Sequence, residues 1–352
     1  MKILHIIAST GVGGAEKHLL DLCRQQQASG LEIAVALPAA GELGPALKKQ
    51  GIACHPFRAG GRWHPLALWS LRRLIRQVAP DLVHAHMLKS AAMVGRVNRS
   101  APCVATAHNI VKHLGPFRFC SHVICVSDMV RDSLRSLGYP ESRTSVVYNA
   151  VDTHAFGTDE RDRLRQQYGW RDDLVVLCVA RLVPAKGQQY AIEAIAQLAA
   201  RLPKLHLVLA GEGPDRDKLA QSAFRLGISG RVSFLGTRHD VPDLLAACDM
   251  YLQPSIKEGF CIAFLEAMAT GLPCIGTKTG AIPTMLDSGT NGLLIPPGDA
   301  QAIADAISSL SIDANRRTRF ARLAREAARI QFSPDKQAAD TFGVYQRVLA
   351  GN

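Results

Sequence analysis

No apolar run in this 352-residue chain approaches the roughly 20 residues that a membrane-spanning helix needs, which argues against a transmembrane segment. Aromatic residues make up only 6% of the chain and no long basic run occurs, so no nucleic-acid-binding module stands out. None of the nine cysteines forms a Cys-x-x-Cys pair. An odd number without framework spacing, mostly inside apolar strand-like runs as at Cys125, Cys178 and Cys274, points to reduced, buried thiols in a cytosolic protein. Disulfides and structural zinc are disfavoured on the same ground. The glycine loop after the first strand, Ser9-Thr10-Gly11-Val12-Gly13-Gly14-Ala15-Glu16-Lys17, lacks the third glycine of Gly-x-Gly-x-x-Gly, which weakens a dinucleotide-binding reading. Internal repeats and low-complexity tracts are missing as well.

What is present is an alternation of strand-like and helix-like segments. Strands are expected at 2–8, 31–37, 52–56, 81–86, 102–107, 121–126 and 143–148. The pattern restarts with strands near 173–180, 205–210, 231–235, 249–253, 273–276 and 291–295. Such alternation implies parallel sheets covered on both faces, and thirteen strands exceed what one sheet ordinarily holds. The fold class is therefore α/β, with two doubly wound, Rossmann-like domains. Their break falls between Asn149 and Trp170, where the apolar rhythm lapses before a short charged helix from Arg161 to Tyr168. Asn315 to Ala350 reads as helical, interrupted at Phe332-Ser333-Pro334. The start, Met1 to Ala8, flows straight into the glycine loop and reads as a buried strand rather than a signal peptide. A hydrophobic content of 47% and a charged content of 20% suit an ordinary globular protein, but the net charge of +11 favours an anionic partner. Without a nucleic-acid module, that leaves a phosphorylated substrate or an anionic membrane surface.

The densest chemistry lies between Glu258 and Glu266, eight positions apart. An apolar strand ending in Gln253-Pro254-Ser255 precedes them, and a helix stopped by Gly271 and Pro273 follows. Glu258 is thus expected in the loop and Glu266 about one and a half turns into the helix. Eight helical residues rise roughly 12 Å, whereas glycosidase carboxylate pairs lie roughly 5 to 9.5 Å apart. The spacing suits a long ligand touched at both ends, with a diphosphate near the helix N-terminus. That description fits a nucleotide-sugar.

Ligands on doubly wound sheets sit beyond the carboxyl ends of the strands. After the first strand of the second half comes Ala180-Arg181-Leu182-Val183-Pro184-Ala185-Lys186-Gly187. An Arg and a Lys there, on a loop aimed at an interdomain cleft, suit a diphosphate. The loops Gly211-Glu212-Gly213-Pro214 and Gly236 to Pro242 repeat the strand-glycine-helix pattern and carry weaker signals. His84 and His86 share one face of a strand end, but no Cys, Asp or Glu lies at ligand spacing, so a metal site is disfavoured. His108, ending another strand, is read as a substrate contact and His84 as a core histidine. The segment Arg62 to Arg76 reads as a helix entered through Pro65. A crossover helix with solvated arginines is preferred there to a membrane-surface helix.

These stretches resemble a GT-B glycosyltransferase of family 4, over nearly the whole length and most densely from Val179 to Pro297. The carrying residues are Val179-Ala180-Arg181-Leu182 with Lys186-Gly187, Leu209 to Pro214, Val232 to Gly236, and Glu258 to Ala269 with Gly271 and Pro273. Gly13-Gly14-Ala15-Glu16 and Tyr148-Asn149-Ala150-Val151-Asp152 match as well. The resemblance implies an acceptor-side domain over 1–160, a nucleotide-sugar-binding domain over 161–332 and a terminal helix, 333–352, returning to the first. It implies that Arg181 and Lys186 hold the donor diphosphate and that Glu266 binds the ribose hydroxyls. Glu258 would contact the donor sugar, with the backbone of Gly259 and Phe260 near the phosphates. Gly14 would face the diphosphate, and His108 would approach the sugar. Transfer would retain anomeric configuration, use protein cations in place of a divalent metal and need no cofactor. Ala150, where the family usually has Gly, and Thr284, in place of a frequent Glu, depart from the pattern.

The resemblance implies a nucleotide-diphosphate-sugar donor and a glycan or lipid-linked acceptor in cell-surface polysaccharide or lipopolysaccharide synthesis. The site is expected to be cytoplasmic, with a possible peripheral contact at an anionic membrane and no nucleic-acid partner. A sugar-nucleotide epimerase or hydrolase of the same architecture is the alternative enzyme, and a non-catalytic sugar-nucleotide-binding partner the alternative class. Base, sugar and acceptor are not legible.

Overall fold

The computed structural model describes residues 1–11, 13–58, 64–98, 100–156 and 160–351. Val12 of the glycine loop, Arg62 and Trp63 of the expected helix start, and Gly157, Thr158 and Asp159 of the linker lie outside them. The chain divides into two compact units, Met1–Ala150 with Pro334–Asn352, and Val151–Ser333. The division falls between Ala150 and Val151, inside the stretch from Asn149 to Trp170 where the apolar rhythm lapses and ahead of the implied domain bound at 160/161.

In the first unit β1 (Lys2–Ile7), α1 (Gly14–Ala28), β2 (Glu32–Pro38), α2 (Leu43–Lys49) and β3 (Ala53–Phe57) come first. They are followed by α3 (Pro65–Val78), β4 (Leu82–His86), α4 (Met87–Val97), β5 (Cys103–Ala107), β6 (His122–Cys125), α5 (Asp128–Arg135) and β7 (Thr144–Val146). The second unit holds α6 (Arg161–Tyr168), β8 (Leu174–Val179), α7 (Gln188–Leu198), β9 (Leu205–Ala210), α8 (Arg216–Arg225) and β10 (Val232–Gly236). It continues through α9 (Val241–Ala247), β11 (Met250–Gln253), α10 (Ile262–Thr270), β12 (Cys274–Thr277), α11 (Ile282–Met285), β13 (Leu293–Ile295), α12 (Ala300–Ile312) and α13 (Ala314–Gln331). The last helix, α14 (Pro334–Ala350), belongs to the first unit.

Every strand pairing is parallel. One sheet has seven strands in the order β3-β2-β1-β4-β5-β6-β7, the other six in the order β10-β9-β8-β11-β12-β13. Parallel strands carry helices on both faces, and this is why β1, β4 and β5 are almost continuously buried rather than alternating. Strand order reverses beside β1 in the first sheet and beside β8 in the second. Adjacent helices leave these points in opposite directions and open a crevice at the strands' carboxyl ends. Side-chain caps define several helix starts. Ser127 accepts from Val130 N, Asp299 from Ala302 N and Asp313 from Arg316 N.

The core of the first unit includes Ile3, Ile7, Leu19, Val35 and Leu82, with Val344, Tyr345 and Val348 of α14 packed into it. Nine free cysteines are present, all buried except the half-buried Cys54. Burial pushes the Cys178 thiol pKa up to about 12. No helix among the described residues is long and apolar enough to cross a membrane.

Candidate active site

At the reversal point of the second sheet, β8 and β11 each end in a loop. The β8 loop passes Arg181 and tightens into a short 3-10 turn, Pro184–Lys186, which Gly187 ends at φ +69°. A Cβ at Gly187 would lie 2.1 Å from the Pro254 carbonyl oxygen, so the two loops touch backbone to backbone. Ile256 N and Lys257 N donate to the Ala185 carbonyl at 2.9 and 3.1 Å. This clamp brings Lys186 Nζ to 2.5 Å from Glu258 Oε2.

Glu258 is 8% exposed, and a buried polar chain stands behind it. Tyr251 OH donates to Gln253 Oε1 (2.9 Å), Gln253 Nε2 to Ser255 Oγ (2.8 Å), and Ser255 Oγ to Glu258 Oε2 (3.1 Å). Gly259 N adds a bond to Glu258 Oε1 at 3.3 Å. Thr277 Oγ1 donates to the Ser255 carbonyl at 2.6 Å, and Gly280, at φ +60°, lets its loop pass close over the Glu258 backbone. Burial disfavours the Lys186 ammonium, but Glu258 first and the Cys261 thiol next outweigh it, leaving the pKa raised. Lys186 is therefore a firmly held cation.

Arg181, on the same loop as Lys186, is exposed, and among the described residues no carboxylate pairs with its guanidinium. Gln188 Nε2 donates to its carbonyl at 2.9 Å and fixes the loop. Helix α10 begins after Cys261 without a side-chain cap, so its first N–H groups point out of the helix start. Glu266 lies in the middle of α10 and is buried, as is Phe260, whose ring meets Phe332 edge to face at 6.3 Å. The sequence-selected residues Arg181, Lys186, Glu258, Gly259, Phe260 and Glu266 thus gather on the β8 loop, the β11 loop and α10. In the weaker loop after β10, Arg238 pairs with Asp240, and Tyr168 OH donates to Asp240 at 2.9 Å. The chain also contains an Asp-x-Asp triplet, Asp215-Arg216-Asp217, at the start of α8. Its Asp217 side chain is 88% exposed, as suits a solvated helix terminus.

In the first unit, Gly14 is the exposed first residue of α1. A cleft of about 270 Å³ lies at the ends of β1, β4 and β5, lined among others by Ser9, Met87, Lys89, Ser90, His108 and Phe117. Met87 holds φ +70°, a conformation a bulky side chain avoids and one that collects at functional sites. Met87, Lys89 and Ser90 follow no motif and were not legible as cleft residues.

Behind the cleft is a histidine cluster that spacing within one strand does not reveal. His84 and His86 of β4 meet His5 of β1, His18 of α1 and His108. His84 is bonded on both nitrogens, to Tyr345 OH (2.6 Å) and Thr106 Oγ1 (2.7 Å), as a core histidine would be. Burial lowers the pKa of His5 and His18 to about 4, and pushes His84, His86 and His108 well below the ordinary value.

Two doubly wound parallel units, one carrying a Lys–Glu pair and a free arginine before a helix N-terminus, are the architecture of GT-B glycosyltransferases. Residues 160–327 match the model for glycosyl transferases group 1 and residues 12–155 that for Glycosyltransferase Family 4. The chain belongs to this glycosyltransferase family and is a glycosyltransferase. It is similar to the lipopolysaccharide core biosynthesis glycosyltransferase LpsE of Rhizobium meliloti, at 28% identity over 95% of each chain. It is 31% identical to N-acetyl-alpha-D-glucosaminyl L-malate synthase of Bacillus anthracis, where the match spans 64% of this chain and 60% of that one. Among solved structures, Anabaena HepE in complex with UDP-glucose superposes with a TM-score of 0.88 at 29% identity, covering 97% of this chain and 99% of that one.

Proposed function

We propose that this glycosyltransferase moves a hexosyl group from a nucleoside-diphosphate sugar to a glycan or lipid-linked acceptor. The product retains the donor's anomeric configuration, and the reaction runs without a divalent metal. The observation that carries the reading is the Lys186–Glu258 pair beside the unpaired Arg181. Glu258 neutralises Lys186 at rest, so the loop carries one net cation. When a diphosphate arrives, Arg181 offers a bidentate contact and Lys186 a compact charge. As the glycosidic bond breaks, negative charge grows on the leaving diphosphate, where these cations and the α10 N-terminus stabilise it most.

On this reading Glu266 binds the ribose hydroxyls and Glu258 a hydroxyl of the donor sugar. The backbone of Gly259 and Phe260 faces the phosphates. The contributions of the first unit are Gly14, near the diphosphate, and His108, near the sugar. The UDP-glucose bound by Anabaena HepE makes UDP-sugars the first donors to test, and LpsE, by its name, favours an acceptor in lipopolysaccharide or a related cell-surface polysaccharide.

A cytoplasmic location at the inner face of the membrane suits such an acceptor. Helix α3 supports it, burying Ala67, Leu71, Ile75 and Val78 while leaving Leu66 50% and Trp69 61% exposed beside Arg72, Arg73 and Arg76. The test is transfer from a panel of nucleotide-sugars to lipid-linked acceptors, with the product linkage read by NMR. An α-linked product from an α-linked donor, formed in excess chelator, is the expected outcome. An inverted product, or activity lost to the chelator, would contradict the mechanism.

A further inference from the structure

The histidine cluster has an internal proton order. Gln26 Nε2 donates to Tyr345 OH at 3.1 Å, so Gln26 Oε1, 2.8 Å from His5 Nε2, accepts that ring's hydrogen. A neutral His5 then has a bare Nδ1, which accepts from His86 Nε2–H at 3.0 Å. This leaves His86 Nδ1 as a buried lone pair without a partner. From the other side, Gln337 Nε2 donates to the Tyr148 carbonyl at 3.1 Å and to His18 Nδ1 at 3.2 Å. A neutral His18 therefore carries its hydrogen on Nε2, which is also buried and unpartnered. His108 Nε2 is the third such atom.

His18, His86 and His108 each offer a ring nitrogen within 4.8 Å of the other two. A cation needs a lone pair from every ligand, whereas a neutral His18 presents its Nε2–H. One donor on His18 and a lone pair on His86, both buried, unpartnered and close to the unpartnered His108 Nε2, suit a single water, which makes about three bonds when buried.

We propose that His86 is a positioning residue for His108, acting through one shared buried water. The water accepts from His18 Nε2–H and donates one hydrogen to His86 Nδ1 and the other to His108 Nε2. His108 is thereby held with its hydrogen on Nδ1, leaving an N–H donor for the substrate. Asn149 lies beside His18 with its own Oδ1 buried and unpartnered, and it competes for the His18 hydrogen. Either acceptor keeps that hydrogen on Nε2, and the water retains its two donations. The inference rests on the reading of His108 as a substrate contact.

The test is long-range 1H–15N correlation on the full chain with 15N-labelled histidine, together with transfer kinetics. His108 is expected as the Nδ1–H tautomer and His86 as the Nε2–H tautomer. His86→Leu removes the acceptor, so His108 should lose its single tautomer, and kcat should fall about tenfold with donor KM nearly unchanged. His86→Asn, which keeps an oxygen near the Nδ1 position, should restore both. Wild-type His108 protonated on Nε2 overturns the proposal, as does zinc retained at one equivalent after dialysis. Equal losses in the Leu and Asn variants with the tautomer unchanged would make His86 merely structural and also overturn it. If His108→Ala transfers at the wild-type rate, the reading of His108 itself fails. If His108→Ala is inactive and His86→Leu fully active, only this inference falls.

Discussion

Lys186 and Glu258 sit 2.5 Å apart although they follow two different strands, because Gly187 admits the Pro254 carbonyl against its backbone. Lys186→Ala leaves a buried carboxylate without its cation, and Glu258→Ala leaves the cation without its anchor. Each should reduce transfer at least about 100-fold, while the double variant should lose no more than the worse single one, since contacting residues act as a unit. Initial rates of nucleotide release for the four proteins check this, and additive losses would show that the pair does not work together.

The backbone contact has its own test. Gly187 and Gly227 both have positive φ, +69° and +70°, but a Cβ at Gly227 meets nothing within 4 Å. Gly227→Ala should cost only the left-handed strain, about 1–2 kcal/mol. Gly187→Ala adds a collision with the Pro254 carbonyl and should cost clearly more, with loss of transfer. Urea unfolding of both variants measures the difference.

Acid should destabilise the first unit steeply. Burial holds His5 and His18 near 4 in the fold, against 6.5 for a free histidine. Between those values the unfolded chain binds more protons, so stability is full above about pH 6.5 and is lost as pH falls toward 4. A single group with this shift loses about 2 kcal/mol between pH 7 and pH 5. His84, His86 and His108 shift in the same direction and add to the loss. Denaturant midpoints at pH 7 and pH 5 read it, and an unchanged midpoint would contradict the buried, neutral cluster.

Helix α3 should bind vesicles containing phosphatidylglycerol. Basic residues near an anionic surface contribute about 1 kcal/mol each, so reversing Arg72, Arg73 and Arg76 to Glu should weaken partitioning by at least about 100-fold. Trp69→Ala should weaken it less. Cosedimentation at low and high salt checks both, and salt-independent binding would exclude the electrostatic contact.

Much of this was legible in the sequence. All thirteen strands lie where they are expected, most clearly the central ones such as β1, β4 and β5, because parallel strands buried on both faces leave continuous apolar signatures. The donor-side residues follow motifs at strand ends, so Arg181, Lys186, Glu258 and Glu266 could be selected from spacing and resemblance. The support behind them could not. Tyr251, Gln253 and Ser255 read as an ordinary buried strand end, and only the fold aligns them into a chain reaching Glu258. The histidine cluster was hidden for the same reason. Its members come from β1, α1, β4 and the end of β5, and Gln26, Gln337 and Tyr345 approach from two helices far apart in sequence. A search for ligands within one strand sees His84 and His86 alone.

On the proposed reading Arg181 and Lys186 hold the diphosphate of a nucleotide-sugar donor. Calorimetric titration of UDP and UDP-glucose, then of other nucleoside diphosphates, into the wild type, Arg181→Ala and Lys186→Ala tests it most directly. The wild type should bind at least one nucleoside diphosphate measurably, and each variant should bind it about tenfold or more weakly. Equal affinity in all three folded proteins would contradict it.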